Sequence, residues 1–321
     1  MIQNEQNPII SFSNVAKNYK NIKALQNVTF SIYEGDIFGY IGPNGAGKTT
    51  TLKILVGLIQ DYIGEVTING ISLKDHNNLG SLIGYLPQDV GFQEWRTVDH
   101  ALTTFGLLSG MTRDELSNRI PEVLDLVRLV DVRNRKIKHL SGGMKQKLKL
   151  AQALLHNPRI LILDEPMSGL DPTSRYQIKN TIKELAQTNI TIIFSSHILE
   201  DVEGIATSIG IINRGAVVKL GTPKEMQEEL IGGDAVAITS PSFFDNKELL
   251  DKLPFIKEVA FTGEKNNQAT IYLTAGVNLK KVLIELMAFF VDHQIPIKNF
   301  NYLEPSLEEV YLKYTNEEVE T

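Results

Sequence analysis

The sequence predicts an α/β fold built on a largely parallel sheet, followed by a small α+β unit. Three observations predict it. Apolar segments of strand length alternate with segments of helical period through the first two thirds of the chain. A glycine-rich loop, Gly42 to Thr49, lies between a strand and a helix. The charge steps near Gly232-Gly233: residues 1–230 carry 24 Lys and Arg against 24 Asp and Glu, while residues 231–321 carry 8 Lys against 14 Asp and Glu. A glycine pair suits a hinge, so the expected domains are 1–231 and 232–321.

The elements follow in order. Ile9–Phe12, Val28–Tyr33 and Asp36–Ile41 read as strands, Thr49–Leu58 as a helix and Gly64–Ile68 as a strand. Residues 97–130 look mostly helical, with Pro121 expected to open one helix. Arg159–Leu163 is almost wholly apolar, as a strand buried on both faces must be. Ser174–Gln187 reads as a helix and Ile190–Ser195 as a second apolar strand. Beyond Gly233 the expected elements are strand Ala235–Thr239, helix Lys247–Leu253, strands Ile256–Thr262 and Ala269–Thr274, helix Leu279–His293 and strand Lys298–Leu303. In the long helix Leu279, Val282, Leu283, Leu286 and Phe290 recur at helical spacing. That order is a split βαβ sandwich.

Composition narrows the function. A chain of 321 residues suits two domains. With 42% apolar and 22% charged residues, it can bury a core and is not disordered. There is no cysteine, which excludes a disulfide framework, a thiolate zinc site and a cysteine nucleophile, and fits a reducing compartment. Met1–Asn7 lack the basic-then-apolar pattern of a secretory signal. No uncharged apolar run reaches the roughly 18–20 residues that span a bilayer. The expectation is a soluble protein, able to dock on something in a membrane. The acidic tail argues against nucleic acid as its ligand.

Gly42-Pro43-Asn44-Gly45-Ala46-Gly47-Lys48-Thr49 matches G-x-x-x-x-G-K-[ST] in the right context. Glycines let backbone amides curl around an anion, and the helix that starts near Lys48 adds its free amides and dipole. Lys48 can reach β- and γ-phosphates, and Thr49 can ligate Mg²⁺. A second signal follows about 115 residues on. The apolar Ile160–Leu163 run leads into Asp164-Glu165, at the sheet edge where α/β folds bind ligands. Asp164 is expected to hold Mg²⁺ and Glu165 to act as general base on the attacking water.

Between these motifs stands Leu140-Ser141-Gly142-Gly143-Met144-Lys145-Gln146. With it the chain resembles the nucleotide-binding subunit of an ATP-binding cassette (ABC) transporter, whose signature is LSGGQ; Met144 replaces the usual glutamine. Physically this is another anion-binding helix start, a serine cap and two small residues. The resemblance covers about residues 8–230. It implies a RecA-like P-loop core with an antiparallel β subdomain and a helical subdomain at about 89–156; the split βαβ order read above makes the tail a small ferredoxin-like domain. It implies ATP and Mg²⁺ as cofactors, with Gly42 through Thr50 on the phosphates and Tyr19 stacked on adenine. It implies that Gln88 senses Mg²⁺ and the attacking water, so the metal set is Thr49, Gln88 and Asp164. His197, after Ser195-Ser196, matches the switch histidine. Ser168-Gly169-Leu170-Asp171 matches the D-loop. In the family Ser141, Gly142 and Gly143 cap the nucleotide of a second subunit, so a second copy of the chain is an implied partner.

The other implied partner is a membrane permease, which would hold the protein at the cytoplasmic face of a prokaryotic membrane. Phe92 and Trp95 are candidates for a docking wall or for packing under the insert. Eight basic residues between Arg128 and Lys149 face one acid, Asp131; with little aromatic interleaving they read as a solvated helical face. Glu304–Tyr311 resembles the Pro-Ser-Leu-Glu-Asp-Val-Phe ending of export-type (ABC-2) ATPases. Export is the first reading. The alternatives are an importer ATPase with a regulatory tail, or a soluble ABC ATPase acting on ribosomes or nucleic acid.

Overall fold

The computed structural model describes residues 7–74, 79–89, 91–231, 235–241, 250, 253–262, 268–274, 277–303 and 307–316. The chain divides into two compact units, residues 1–222 with 314–321, and residues 223–313. This division falls one helix ahead of Gly232-Gly233, a pair outside the described residues. The expected helix Lys247–Leu253 lies almost wholly outside them too.

In the first unit, strands β1 (Ile10–Tyr19), β2 (Ile22–Ile32), β4 (Ile63–Ile68) and β5 (Ile71–Ser72) form an antiparallel sheet in the order β2-β1-β4-β5. A six-stranded sheet holds β3 (Ile37–Ile41), β6 (Ile83–Leu86), β7 (Ile160–Leu163), β8 (Thr191–Ser196), β9 (Ser208–Asn213) and β10 (Ala216–Gly221). Its order is β10-β9-β3-β8-β7-β6; every pair is parallel except β10 with β9. All residues of β3, β7 and β8 are buried, and in β7 that burial shows in the sequence as the unbroken apolar run Ile160–Leu163. Stacked Phe12, Phe30 and Phe38 tie the antiparallel sheet to the parallel one, with ring centroids 4.5 and 5.3 Å apart. Each such ring removed from water contributes about 1.5–3 kcal/mol.

The parallel order positions the site. Four adjacent strands, β3, β8, β7 and β6, release their carboxyl ends along one sheet edge. The loops that follow carry, respectively, Gly42–Thr49, His197, Asp164-Glu165 and Gln88. Motifs more than a hundred residues apart in sequence are thereby neighbours in space.

Helix α1 (Lys48–Leu55) follows the glycine-rich loop. Helices α2 (Val98–Leu108), α3 (Arg113–Leu126) and α4 (Gly142–Leu154) pack on one another, and Leu102, Leu116, Ile120, Val123 and Leu148 are among the residues they bury. Their starts are set by caps: Thr97 for α2, a Thr112–Glu115 capping box for α3 and Ser141 for α4. Pro121 does not open a helix; it lies inside α3. A proline there leaves the Ser117 carbonyl without its helical partner, and both residues sit on the exposed face, open to solvent. Helix α5 (Pro172–Ala186) begins at the Asp171 cap, and helix α6 (Pro223–Ile231) opens the second unit.

The second unit has an antiparallel sheet of β11 (Ala235–Thr239), β12 (Ile256–Thr262), β13 (Gln268–Leu273) and β14 (Asn299–Leu303), ordered β12-β13-β11-β14. Its first and third strands are central, the arrangement that a split βαβ produces. Helix α7 (Leu279–Asp292) covers its core with Val282, Leu286 and Phe290. Helix α8 (Leu307–Asn316) ends the described chain; Glu304-Pro305-Ser306 of the tail motif lie outside the described residues. Among the described residues no helix is long and apolar enough to cross a membrane.

Candidate functional site

The loop between β3 and α1 is held open by its own glycines. Gly45 and Gly47 have φ of 82° and 113°, a region that side-chain-bearing residues avoid. The turn between β9 and β10 props the loop from behind, with the Gly215 amide donating to the Ala46 carbonyl at 2.9 Å. Lys48 turns back into the loop and donates to the Gly42 and Pro43 carbonyls at 2.8 and 3.2 Å. Its ammonium lies 3.5 Å from Glu165 Oε1. Burial pulls the Lys48 pKa below the ordinary lysine range, and Glu165 opposes that shift.

A cavity of about 660 Å³ opens over this loop. Its wall includes Asn44, Gly45, Gly47, Lys48, Thr49 and Thr50 from the loop, Ile22 and Ala24 from β2, and Gln88, Glu165, Ser168 and His197. The Glu165 carboxylate is the centre of the polar cluster. Gln88 Nε2 donates to its Oε2 at 3.4 Å, and His197 Nδ1 lies 3.2 Å from the same oxygen, out of line for a hydrogen bond. Glu165 takes a left-handed φ of 48°, which costs about 1 kcal/mol at such a residue.

Asp164 lies beneath the cavity and is 1% exposed. Its Oδ1 accepts from Thr49 Oγ1 at 3.2 Å and from Ser195 Oγ at 2.7 Å. Ser195 Oγ in turn accepts from the Glu165 amide at 2.9 Å, so one hydroxyl orients both acids. Burial raises the Asp164 pKa above the ordinary aspartate range. Its Oδ2 is buried with no hydrogen-bond partner. An orphaned carboxylate oxygen beside a threonine hydroxyl fits Mg²⁺, which binds through one or two carboxylates and its substrate's phosphates. Among the described residues no cluster of three His, Cys, Asp or Glu offers an all-protein metal cage. Tyr85, on β6, has its hydroxyl pushed up to about 12 by burial and the Asp164 charge.

The other expected residues lie off this cavity. Tyr19 is half exposed at the end of β1, with the Lys17 ammonium 4.9 Å from its ring, and is not in the wall. Ser141 and Gly142 are exposed at the start of α4, where Ser141 Oγ accepts from the Met144 amide at 3.3 Å. A Cβ on Gly143 would collide with Ser174 Oγ, so that glycine lets α4 approach α5. Asp171 is exposed and holds the Ser174 amide at 3.0 Å.

Trp95 does not pack under the helical insert. It is 61% exposed, with the Arg96 guanidinium 4.9 Å over its ring, while Phe92 packs edge-on against Phe105. Three of the eight basic residues are paired within the chain: Arg128 with Glu184, Arg133 with Asp99 and Lys145 with Glu94. Sequence reasoning missed Ser195 as a bridge and the β2 residues of the wall. Ser195 carries no motif of its own, since only the pairing of β7 with β8 brings it to the acids.

The ABC transporter family model matches residues 25–168. The chain is 33% identical over 308 residues to the linearmycin resistance ATP-binding protein LnrL of Bacillus subtilis strain 168, covering 96% of this chain and 98% of that one. It is 29% identical over 313 residues to the Nod factor export ATP-binding protein I of Ralstonia nicotianae, covering 97% and 95%. The dimeric bacterial ABC transporter cassette MJ0796 aligns with 66% of this chain and 98% of its own, at 29% identity and a TM-score of 0.60. Its post-hydrolysis state bound to ADP and Pi matches with the same TM-score at 28% identity and the same coverage.

Proposed function

The chain belongs to the ABC transporter ATP-binding proteins and is an ATPase, and from that premise we propose that it powers export through a separate membrane permease. Export is favoured because relatives that match it nearly end to end are named for linearmycin resistance and Nod factor export. The proposed location is the cytoplasmic face of the membrane, held there by the permease. The exposed Trp95 and the helical subdomain around it are the proposed docking side.

The observation that carries the catalytic reading is the Glu165 carboxylate, set in the cavity wall with Gln88 and His197 on one oxygen. In the proposed reaction the triphosphate of ATP lies along the amides of residues 43–50, and Lys48 turns from its carbonyl partners to the β- and γ-phosphates. Tyr19 offers its open face to adenine. Thr49, Asp164 and Gln88 are the proposed Mg²⁺ ligands. Bound there, Mg²⁺ neutralises charge on the β- and γ-phosphates. Glu165 accepts a proton from water as the water oxygen bonds to the γ-phosphorus, and the bond to the bridging oxygen breaks to give ADP and phosphate. His197 holds the γ-phosphate as its charge changes. Ser141, Gly142 and Gly143, with Asp171, complete the site of a second copy.

Glu165→Gln tests this assignment. It retains the shape and the hydrogen-bond acceptor and removes the base. The expected variant binds ATP with parental affinity, loses turnover by about 10²–10⁴ and accumulates as an ATP-bound dimer. Turnover at the parental rate would sink the general-base role. Tagged Glu165→Gln, purified from native membranes with MgATP, is expected to bring down a polytopic membrane protein in stoichiometric amount. Recovery only with ribosomes or nucleic acid would overturn the transport reading and leave the chemistry standing.

A further inference from the structure

An ion pair links the first turn of α5 to the turn that follows His197. Asp201 lies in the short turn Leu199–Asp201 just beyond His197, and its side chain is 3% exposed. Ser196 Oγ donates to Asp201 Oδ2 at 2.8 Å. The same hydroxyl accepts from the Ile198 amide at 2.9 Å. The backbone on both sides of His197 is therefore tied to one carboxylate. Across from it stands Arg175, in the first turn of α5. Arg175 Nε and Asp201 Oδ1 are 3.5 Å apart, and both atoms are buried without a hydrogen-bond partner. One turn further along α5, Lys179 donates to the Glu200 carbonyl.

The other side of the same helical turn faces the signature loop. Asp171 caps α5, accepting from the Ser174 amide and from Ser174 Oγ at 3.0 and 2.6 Å. Ser174 is the residue that Gly143 packs against. The first turn of α5 thus touches the start of α4 through Ser174 and the His197 turn through Arg175.

We propose that Arg175 and Asp201 form a clasp that positions His197 for hydrolysis, closing when the start of α5 shifts as a second copy engages Ser141 and Asp171. An Arg–carboxylate bond at its usual length needs about 0.7 Å of travel from the observed gap. Two opposite charges whose facing atoms are buried without hydrogen-bond partners gain by closing. The asymmetry of the contacts sets the direction of coupling. Asp201 is tied to Ser196 by a short bond and stays with the His197 turn, while Arg175 moves with α5. Neither Arg175 nor Asp201 lines the cavity over the phosphate loop, so both are positioning residues. The proposal rests on the reading of His197 as a participant in hydrolysis.

The test uses the full chain in steady-state ATPase assays, with thermal melts of each variant. Arg175→Gln is expected to lower kcat about tenfold while KM for ATP changes less than about twofold. Asp201→Asn is expected to do the same. The double variant is expected to be no slower than the slower single, because both remove one clasp. A purely structural ion pair would move the melting temperature without splitting kcat from KM. Arg175→Gln with parental kcat overturns the clasp, and so do fully additive losses. If Asp201→Asn does not fold, the partly exposed Arg175 still decides the matter alone. His197→Ala runs alongside. If it hydrolyses at the parental rate, the role of His197 fails and the clasp fails with it. If it is inactive while Arg175→Gln is unimpaired, only the clasp fails.

Discussion

The loops Gly42–Thr49 and Leu140–Gly143 are both small-residue turns that start a helix, and they sit in opposite surroundings. The first is embedded. Its lysine has two carbonyl partners and a carboxylate at hand, its threonine holds Asp164, and a 660 Å³ cavity opens above it. The second is bare. Ser141 caps its own helix, Gly142 has open space where a Cβ would stand, and neither lines the cavity. One loop carries its environment within its own chain. The other offers helix-terminal amides to solvent, a good anion site with no walls. The difference means that a single chain gathers the proposed base, a lysine and the proposed Mg²⁺ position in one place, yet leaves the proposed second anion-binding surface apart from them. It supports the proposal that a second copy brings the two together.

The largest expected effect breaks the embedded half. Lys48→Ala removes the cation proposed to reach the β- and γ-phosphates. Charge-assisted bonds of this kind are worth about 1.5–3 kcal/mol, so ATP affinity should fall roughly ten- to a hundredfold. Titration with a fluorescent ATP analogue measures it. Unchanged affinity would mean that the embedded loop does not cradle phosphate and would remove the contrast between the two loops.

The bare half calls for a different readout. In a Glu165→Gln background, Ser141→Arg puts a long cation where a second nucleotide would seat. Loss of the serine cap costs about 1 kcal/mol, which a chain of this size tolerates. The expected monomer binds ATP as tightly as before, within about twofold, but no longer dimerises with it in sedimentation or light scattering. An ATP-dependent dimer that survives Ser141→Arg would show that the exposed serine is not the lid of a partner's site.

What was legible in the sequence follows the same contrast. Embedded features were legible because burial and special backbone leave a mark in composition: the unbroken apolar run of β7, the glycines of the phosphate loop and the acids that follow β7. The fold class was legible for the same reason. Features made by long-range pairing were not. Strands β1 and β2 run to 10 and 11 residues, but only Ile9–Phe12 and Val28–Tyr33 were readable. Register shifts between Phe12 and Val15 interrupt the two-residue alternation on which strand reading depends. Strands β9 and β10 were missed: Gly210 breaks the first, and a bulge between Val217 and Lys219 breaks the second. The start of α3 was legible in principle, since Thr112-Arg113-Asp114-Glu115 spells a capping box, but Pro121 drew attention to the wrong residue. Ser195, Arg175 and Asp201 act through partners on other elements, so no local pattern announces them.

The smallest expected effect concerns a lysine on each side of the contrast. Lys48 is buried with Glu165 in reach. Lys147, on α4, is 8% exposed and has no ion-pair partner among the described residues. Burial and the neighbouring Arg128 push its pKa below the ordinary lysine range. The charged form is therefore disfavoured in the fold relative to the unfolded chain. Below its folded pKa the charge costs stability, and that cost is relieved as pH rises through the folded value towards the ordinary one. Lys147→Met keeps the length of the side chain and removes the charge. It should raise stability by roughly 1 kcal/mol, or about 2–4 °C in melting temperature, and flatten the alkaline rise expected of the parent. Because Lys147 is buried on α4 and is not part of the cavity wall, ATP affinity should not change. A lower melting temperature at neutral pH would mean that the ammonium is held favourably after all, and the signature helix would then be as well furnished with partners as the phosphate loop.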